Sequence, residues 1–169
     1  DKIARMDHIY SPWRKEYFDR DKNNPACVFC EAAKQPDNPE NLIIFRGKLA
    51  FVILNRFPYT SGHLMVVPYL HSKDLADLPD DTLLEMMQLT QRAVSVLGQE
   101  YQPQGFNIGM NLGAVAGAGI TEHLHMHVVP RWQGDANFVS VIGQTRVLPE
   151  TLEETYHRMR EAWKRASTA

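Results

Sequence analysis

Short apolar runs with the length of β-strands are separated by polar turns between residues 42 and 132. Each run is rich in Ile, Val, Leu, Phe or Met, the residue types that favour buried or half-buried strands. Five segments have this pattern: 42–47, 49–55, 63–69, 105–111 and 122–132. The first two segments meet at Gly47 and Lys48, which predicts a tight turn. Because short connections join antiparallel neighbours, the pattern predicts an antiparallel sheet of about five strands.

Two further segments have the three-to-four-residue spacing of amphipathic helices. The first is about 20 residues long and carries Thr82 and Glu85 in the spacing of an N-terminal capping box. Its apolar positions are Leu83, Met86, Met87, Ala93, Val94 and Leu97. The second runs from about Pro149 to Lys164, with an apolar stripe of Leu152, Tyr156, Met159 and Trp163. A sheet covered by one long helix predicts the α+β class, and residues 1–41 are predicted to be irregular.

The segment "EHLHMHVVPRW" places three of the seven histidines at alternate positions. On a strand, successive side chains point to opposite faces, so His123, His125 and His127 are predicted to share one face. Leu124, Met126 and Val128 then share the core face. The pattern indicates a half-buried strand that presents three imidazoles to a cleft.

Length and charge limit the kind of protein. The 169 residues are 44% hydrophobic and 22% charged, which is ordinary for a globular chain. One domain (1–169) is predicted, with an N-terminal extension (1–41), a core (42–130) and a C-terminal tail with its helix (131–169). A net charge of −2 gives no broad basic surface for nucleic acid. With no membrane-length apolar run and no signal peptide, we expect no membrane partner and a cytoplasmic location.

Three interpretations of the histidines compete. They are ordinary surface residues, ligands of a catalytic zinc ion, or a nucleophile with two flanking binding groups. Alternate residues i to i+4 on one strand spread over about 13 Å, so all three cannot easily share one metal. A neutral imidazole is a competent nucleophile, and its neighbours can bind phosphate oxygens. The third interpretation therefore fits the spacing best. A glycine-rich loop at 113–119 precedes the segment and is able to bring backbone N–H groups to a ligand.

The only two cysteines, Cys27 and Cys30, lie in "CVFC". In a cytoplasmic protein this spacing indicates metal binding or redox chemistry before a structural disulfide. A redox motif of the thioredoxin type follows a strand, whereas "NNPACVFC" follows a polar stretch. The context therefore favours metal.

The run from His123 to Val129 resembles the histidine-triad (HIT) motif, in which apolar residues alternate with three histidines. The segments "LNRFPYTSGHLMVVP", "GFNIGMNLG", "TEHLHMH" and "VVPRWQGDANF" are similar to the Fhit-like branch, and most of all to its bacterial diadenosine tetraphosphate phosphorylases. The resemblance covers roughly residues 10–165 and implies a HIT-like fold. It also implies a symmetric homodimer, with the long helix and the edge of the fourth strand at the interface.

In that family the central histidine attacks the α-phosphorus of a nucleotide. The resemblance implies this role for His125, with its other ring nitrogen donating to a backbone carbonyl. His127 then holds phosphate oxygens or protonates the leaving group, and His63 faces the triad from a neighbouring strand. A satisfied, half-buried histidine is the alternative for His63.

The resemblance also implies nucleotide-binding residues. Asn55 matches the residue that binds the ribose hydroxyls, and an amide suits a vicinal diol. Ile53 and Met65 match the residues that hold the base, although a place in the core explains them nearly as well. The phosphate-binding positions are Asn111, Gly119 and Thr121. This loop departs from the Gln-Thr or Gln-Ser of the Fhit group, because the chain has Gly119, Ile120 and Thr121.

Some family members hold a structural zinc ion, and the matching ligands here are Cys27, Cys30, His71 and His123. The alternative is a pair of reduced, buried cysteines packed around Phe29. The chemistry should need no metal of its own, although the substrate can carry magnesium.

Three functions follow. The first is phosphorolysis of diadenosine tetraphosphate to ATP and ADP through a nucleotidyl-histidine. The second is hydrolysis of dinucleoside polyphosphates or nucleoside phosphoramidates. The third is nucleotide binding without turnover, which the presence of His125 disfavours. Trp132 and Asn137 follow the triad closely enough to shape the site of the acceptor or second nucleotide.

Overall fold

A computed structural model describes residues 26–136 and 148–166 of the chain. The helices and strands, in chain order, are α1 (Val28–Lys34), β1 (Ile43–Arg46), β2 (Ala50–Leu54), β3 (Leu64–Pro68), α2 (Asp80–Tyr101), β4 (Gly105–Gly109), β5 (Met126–Arg131) and α3 (Leu152–Arg165). The predicted turn between the first two strands is closed by a hydrogen bond from Gly47 N–H to the Ala50 carbonyl (2.8 Å).

The five strands form one antiparallel sheet with the order β1-β2-β3-β5-β4. Register places Ile53 opposite Met65, and Met65 opposite His127. These three side chains therefore share one face of the sheet. The predicted α+β class and the five-stranded antiparallel sheet are confirmed.

Helices α2 and α3 cover the other face of the sheet. That face includes Val52 and Val66, which are paired in register and completely buried. Phe45 lies opposite Val52 and stacks on Trp163 of α3, with ring centroids 5.5 Å apart. Because the helices occupy this face, His127 and its in-register neighbours are left on the opposite side.

The long predicted helix is confirmed as α2, but its predicted capping box is wrong. The helix begins at Asp80, and Thr82 is buried inside its first turn. Glu85 instead accepts hydrogen bonds from the N–H groups of Lys48 (2.8 Å) and Leu49 (2.5 Å) in the β1–β2 turn. The Glu85 carboxylate, which its spacing from Thr82 assigned to the helix end, therefore binds a distant turn instead.

The C-terminal helix is confirmed as α3, and a capping box is found at its N-terminus. Thr151 and Glu154 bond reciprocally at its start. Tyr156, Met159 and Trp163 of the predicted stripe are buried.

The N-terminal region departs from the irregular structure that was predicted. Residues 28–34 form α1, a helix too short to show periodicity in the sequence, and it buries Phe29. Residues 1–25 lie outside the described part of the chain. Among the helices that are described, none combines the length and apolarity needed to cross a membrane.

The histidine segment also departs from the prediction, since β5 begins only at Met126. His123 and His125 precede the strand, and Leu124 N–H donates to the Ser72 carbonyl (2.7 Å) rather than to a strand partner. Only the extent of the strand was predicted wrongly, because the ring of Phe29 contacts both His123 and His125, and the ring of His125 lies 4.8 Å from that of His127. His123 lies among side chains that come from outside the sheet, as described next.

Candidate active site and metal centre

His125 lies just before β5 and is 5% exposed. Its Nδ1–H donates to the carbonyl of His123 (2.9 Å), the backbone hydrogen bond that was expected. This bond fixes the tautomer and leaves the Nε2 lone pair available. Burial lowers the pKa of His125 below its usual 6.5, because a charged imidazolium is poorly solvated there. A neutral imidazole with one directed lone pair has the chemistry of a nucleophile.

His127, on β5, is linked to His63 by a hydrogen bond of 3.0 Å between His63 Nε2 and His127 Nδ1. The N–H of Tyr59 donates to His63 Nδ1 (3.1 Å), so His63 carries its proton on Nε2 and donates to His127. His127 is therefore protonated on Nε2. This order of donors gives His127 an N–H to present to an oxygen of a ligand.

Tyr59 is a residue that sequence analysis missed. Its ring lies 4.5 Å from the ring of His63 and stacks on that of His127 at 6.0 Å. The rings of His125 and His127 meet edge to face at 4.8 Å. Tyr59 sits in an irregular loop, where no periodic pattern signals which way a side chain points.

A cavity of about 840 Å³ opens beside His127. That volume lies within the range of small-molecule sites. His127 and Asn111 both line this cavity, and Asn111 is the only one of the predicted nucleotide-binding residues that does so. The other lining groups include Tyr59, Arg131 and Trp132.

Ile53 and Met65 lie in the sheet, and Asn55 directly follows β2. Ile53 and Met65 are adjacent in register and are 6% and 4% exposed, so both also belong to the core. Asn55 is 4% exposed, and its Oδ1 accepts a hydrogen bond from the N–H of Phe57 (2.9 Å). Ile53 and Met65 share the His127 side of the sheet, and none of the three residues lines the large cavity.

The glycine-rich loop turns sharply between β4 and β5. Gly113 and Gly117 have φ angles of 82° and 91°, a conformation that side chains disfavour. Asn111 Nδ2 donates to the Gly117 carbonyl at 3.5 Å, which links the cavity wall to this loop. Gly119 is exposed, and the Thr121 hydroxyl donates to Glu122 (3.2 Å).

The four predicted zinc ligands are brought together from three separate parts of the chain. The ligand atoms of Cys27, Cys30, His71 and His123 all lie within 4.8 Å of one another. His123 Nε2–H donates to the Pro68 carbonyl (2.8 Å), so its Nδ1 is directed at the Cys27 sulfur, 3.3 Å away. Two sulfurs and two imidazole nitrogens fit a closed tetrahedral zinc site, with one histidine oriented by a carbonyl.

The electrostatics of the cysteines agree with that fit. Burial opposes ionisation of Cys27, but the hydrogen bond to His123 and other bonds outweigh it and lower the pKa to about 6. Burial and the neighbouring Cys27 sulfur raise the pKa of Cys30. One thiolate therefore forms readily, and a cation is needed to stabilise the second.

The metal cluster is connected directly to His125. The carbonyl that accepts the hydrogen bond from His125 Nδ1–H belongs to His123. The ring of Phe29, which lies between the two cysteines in the sequence, is 5.4 Å from the ring of His123 and 5.1 Å from that of His125. The cluster and the candidate nucleophile therefore share a backbone hydrogen bond and contacts with one aromatic ring.

Comparison with known proteins identifies the family. The model of the HIT domain family matches residues 35–134. Because this match covers more than half of the chain, the protein belongs to the HIT domain family.

The chain is 43% identical over 169 residues to AP-4-A phosphorylase of Mycobacterium tuberculosis, covering 95% of this chain and 86% of that protein. It is 28% identical over 106 residues to an adenosine 5′-monophosphoramidase of Saccharomyces cerevisiae, covering 63% of each chain. A zinc-bound histidine triad family protein from Mycobacterium smegmatis, known from its crystal structure, superposes with a TM-score of 0.67. It is 31% identical, and the match covers 85% of this chain and 96% of that one.

Proposed function

We propose that this protein cleaves diadenosine tetraphosphate with inorganic phosphate, giving ATP and ADP through a nucleotidyl-histidine. The observation that carries the proposal is the buried His125, whose Nδ1–H is held by a carbonyl and whose Nε2 lone pair is left for attack. The similarity to AP-4-A phosphorylase over 95% of the chain supports the choice of substrate and acceptor.

In the first half-reaction, His125 Nε2 attacks the α-phosphorus. A nitrogen–phosphorus bond forms as the bond from phosphorus to the bridging oxygen breaks, and ATP leaves with that electron pair. The positive charge that develops on the imidazole is stabilised by the carbonyl of His123. His127, kept protonated on Nε2 by His63, donates to the departing oxygen.

In the second half-reaction, an oxygen of inorganic phosphate attacks the same phosphorus. The nitrogen–phosphorus bond breaks, ADP is released, and His125 regains its neutral state. Water in place of phosphate gives AMP, so the acceptor decides between phosphorolysis and hydrolysis.

The nucleotide is proposed to lie on the sheet face that carries His127. Ile53 and Met65 hold the base, Asn55 the ribose, and Asn111, Gly119 and Thr121 the phosphates. The register that places Ile53, Met65 and His127 side by side supports this arrangement. Ile53 and Met65 are both buried. A base that binds against them therefore has to displace the side chains that cover them.

Hydrolysis of dinucleoside polyphosphates or of nucleoside phosphoramidates is the second candidate. Its first half-reaction is the same, and the 28% identity to an adenosine 5′-monophosphoramidase favours it. Nucleotide binding without turnover is the third candidate, and the geometry at His125 counts against it.

Structural zinc at Cys27, Cys30, His71 and His123 is part of the proposal, whereas the reaction uses no metal beyond magnesium on the substrate. A homodimer is also proposed, supported by the outer strand β4, which pairs only with β5 among the described strands and leaves Ile108 48% exposed. A single domain (1–169), a cytoplasmic location and the absence of nucleic-acid or membrane partners remain predictions.

The deciding experiment incubates the protein with diadenosine tetraphosphate, with and without phosphate, and separates the products by chromatography. ATP and ADP that form only with phosphate support the phosphorylase. ATP and AMP formed without phosphate indicate a hydrolase. If no product forms, adenosine 5′-phosphoramidate is tested next, and its inertness supports the non-catalytic candidate.

His125→Asn provides the matched control, because its amide can still donate to the His123 carbonyl but offers no ring nitrogen for attack. We expect turnover to be abolished while AMP binding is kept. Turnover by the variant at more than about 1% of the wild-type rate would reject His125 as the nucleophile.

Trp132 and Asn137 are proposed to shape the site of the acceptor or second nucleotide. Trp132 lines the large cavity, whereas Asn137 lies outside the described residues. Each is changed to Ala and the ratio of phosphorolysis to hydrolysis is measured. An unchanged ratio would reject the role.

A further inference from the structure

The large cavity that His127 lines has another wall, formed by Tyr101, Glu150 and Arg158. Tyr101 is the last residue of α2, and the other two belong to the C-terminal segment. Glu150 and Arg158 lie beyond residue 134, where the match to the family model ends. Two of the three wall residues therefore lie outside the part of the chain that matches the HIT domain model.

The side chains of the wall are planar and already paired. The Arg158 guanidinium lies 4.2 Å from the centroid of the Tyr101 ring and forms an ion pair with Glu150. The Tyr101 hydroxyl donates to Glu150 (2.8 Å), and burial and this carboxylate raise the pKa of Tyr101. The charge of Arg158 is thus compensated, and the wall does not attract phosphate strongly.

The β5 side of the same cavity has a similar character. Arg131 forms two bonds with the carboxylate of Asp135 (2.6 and 2.8 Å), and Val129 and Trp132 add apolar and aromatic surface. Charge-paired, aromatic and apolar groups suit a flat, uncharged ligand that forms hydrogen bonds.

The distance from the reacting histidines limits which ligand reaches this wall. Val129 and Arg131 follow His127 on the same sheet face, so the β5 side extends about 13 Å from His127. The leaving group of a phosphoramidate with a small amine extends only a short distance beyond His127. A nucleoside at the end of a polyphosphate extends much further.

We infer that Tyr101, Glu150 and Arg158 form a subsite for the nucleoside of the leaving group, which selects dinucleoside polyphosphates over short nucleotide esters and amides. This inference rests on the proposed function and specifies its substrate class. Stacking on an aromatic or guanidinium plane is worth about 1–3 kcal/mol per base, which corresponds to roughly 5- to 150-fold in affinity.

Binding is measured by calorimetry in the His125→Asn background, where no turnover interferes. We expect diadenosine tetraphosphate to bind at least about tenfold more tightly than AMP, since only the former reaches the second nucleoside site. Adding Arg158→Met should reduce that ratio about tenfold or more and leave AMP binding unchanged. Adding Arg165→Met is the control, because Arg165 and Arg158 both form an ion pair with Glu100, but Arg165 does not line the cavity.

An unchanged ratio with Arg158→Met, or an equal loss of AMP binding, would overturn the inference. If Arg158→Met fails to fold, Tyr101→Phe decides, because it removes only the hydroxyl that bonds Glu150. It should lower the ratio at least about threefold, and a ratio within error of the parent would overturn the inference.

The outcome for the subsite is separate from the outcome for the reaction. Wild-type protein that forms no ATP from diadenosine tetraphosphate would reject the proposed function, whereas a ratio that depends on Arg158 would still establish the subsite. Phosphate-dependent turnover, together with an affinity ratio of diadenosine tetraphosphate to AMP that does not depend on Arg158, would support the reaction and reject the subsite.

Discussion

At the scale of single residues, His63 illustrates how a buried histidine serves another. It is fully buried, receives a hydrogen bond from Tyr59 and donates one to His127. We predict that His63→Phe lowers kcat about 10- to 100-fold with little change in KM, because His127 loses the donor that sets its tautomer. Steady-state kinetics measures both constants.

His157→Phe is the control for that substitution, since His157 is exposed on α3 and should be silent. The relay from His63 to His127 would be refuted by a kcat of His63→Phe within twofold of the wild-type value.

The pH dependence of turnover is also decided at one residue. Protonation of His125 removes the lone pair that attacks phosphorus, and burial lowers the pKa of this imidazole below 6.5. The neutral form therefore persists at pH 6.5, and we predict that kcat/KM falls only at lower pH. A pH profile with diadenosine tetraphosphate checks this, and an acidic limb centred above 6.5 would contradict it.

At the scale of elements, the seven-residue helix α1 contacts both the candidate nucleophile and the cluster of candidate metal ligands. It carries Phe29 onto the rings of both His123 and His125. Phe29→Ala should cost about 3 kcal/mol of unfolding free energy and lower kcat, while the bound metal is retained because all four ligands remain. Denaturant unfolding, metal analysis and kinetics are measured together.

Val28→Ala is the matched control, since Val28 precedes Phe29 on the same helix and is 42% exposed. Should Phe29→Ala behave like Val28→Ala in all three measurements, α1 would have no part in holding the candidate nucleophile.

The contact between α2 and the β1–β2 turn is a second element-scale feature. Glu85 accepts from the N–H groups of Lys48 and Leu49, and so fastens the turn to the helix. We predict that Glu85→Ala lowers the unfolding free energy by roughly 1 kcal/mol without affecting turnover. The exposed Gln88→Ala serves as the control, and an equal loss in both variants would argue against the contact.

At the scale of the whole molecule, the metal cluster joins segments that are far apart in sequence. Its ligands lie on or beside α1, after β3 and before β5. Protein purified without added zinc should contain about one zinc ion per chain. Cys30→Ser should lose most of it, and the thermal midpoint should fall by about 10 °C.

Chelation followed by addition of zinc to wild-type protein should lower and then restore that midpoint. Wild-type protein that is folded but free of metal would refute the structural zinc.

The sequence by itself determined the sheet, the two long helices and the family. These features depend on periodicity and on a local motif, both of which are visible in a linear chain. It also indicated the four residues that cluster as candidate metal ligands, Cys27 and Cys30 by their spacing, and His71 and His123 through the resemblance to relatives. The histidine strand was only half right, because alternation cannot reveal that β5 begins at Met126 or that His123 contacts Cys27.

Only the tertiary structure decided which groups act on one another across the chain. Glu85 caps a turn rather than its own helix, Tyr59 contacts the rings of two histidines, and Arg158 lines the same cavity as His127. The physical reason is common to all three. A polar or aromatic side chain takes the partner that the packed fold brings within reach, and sequence spacing records only the partners within a few residues.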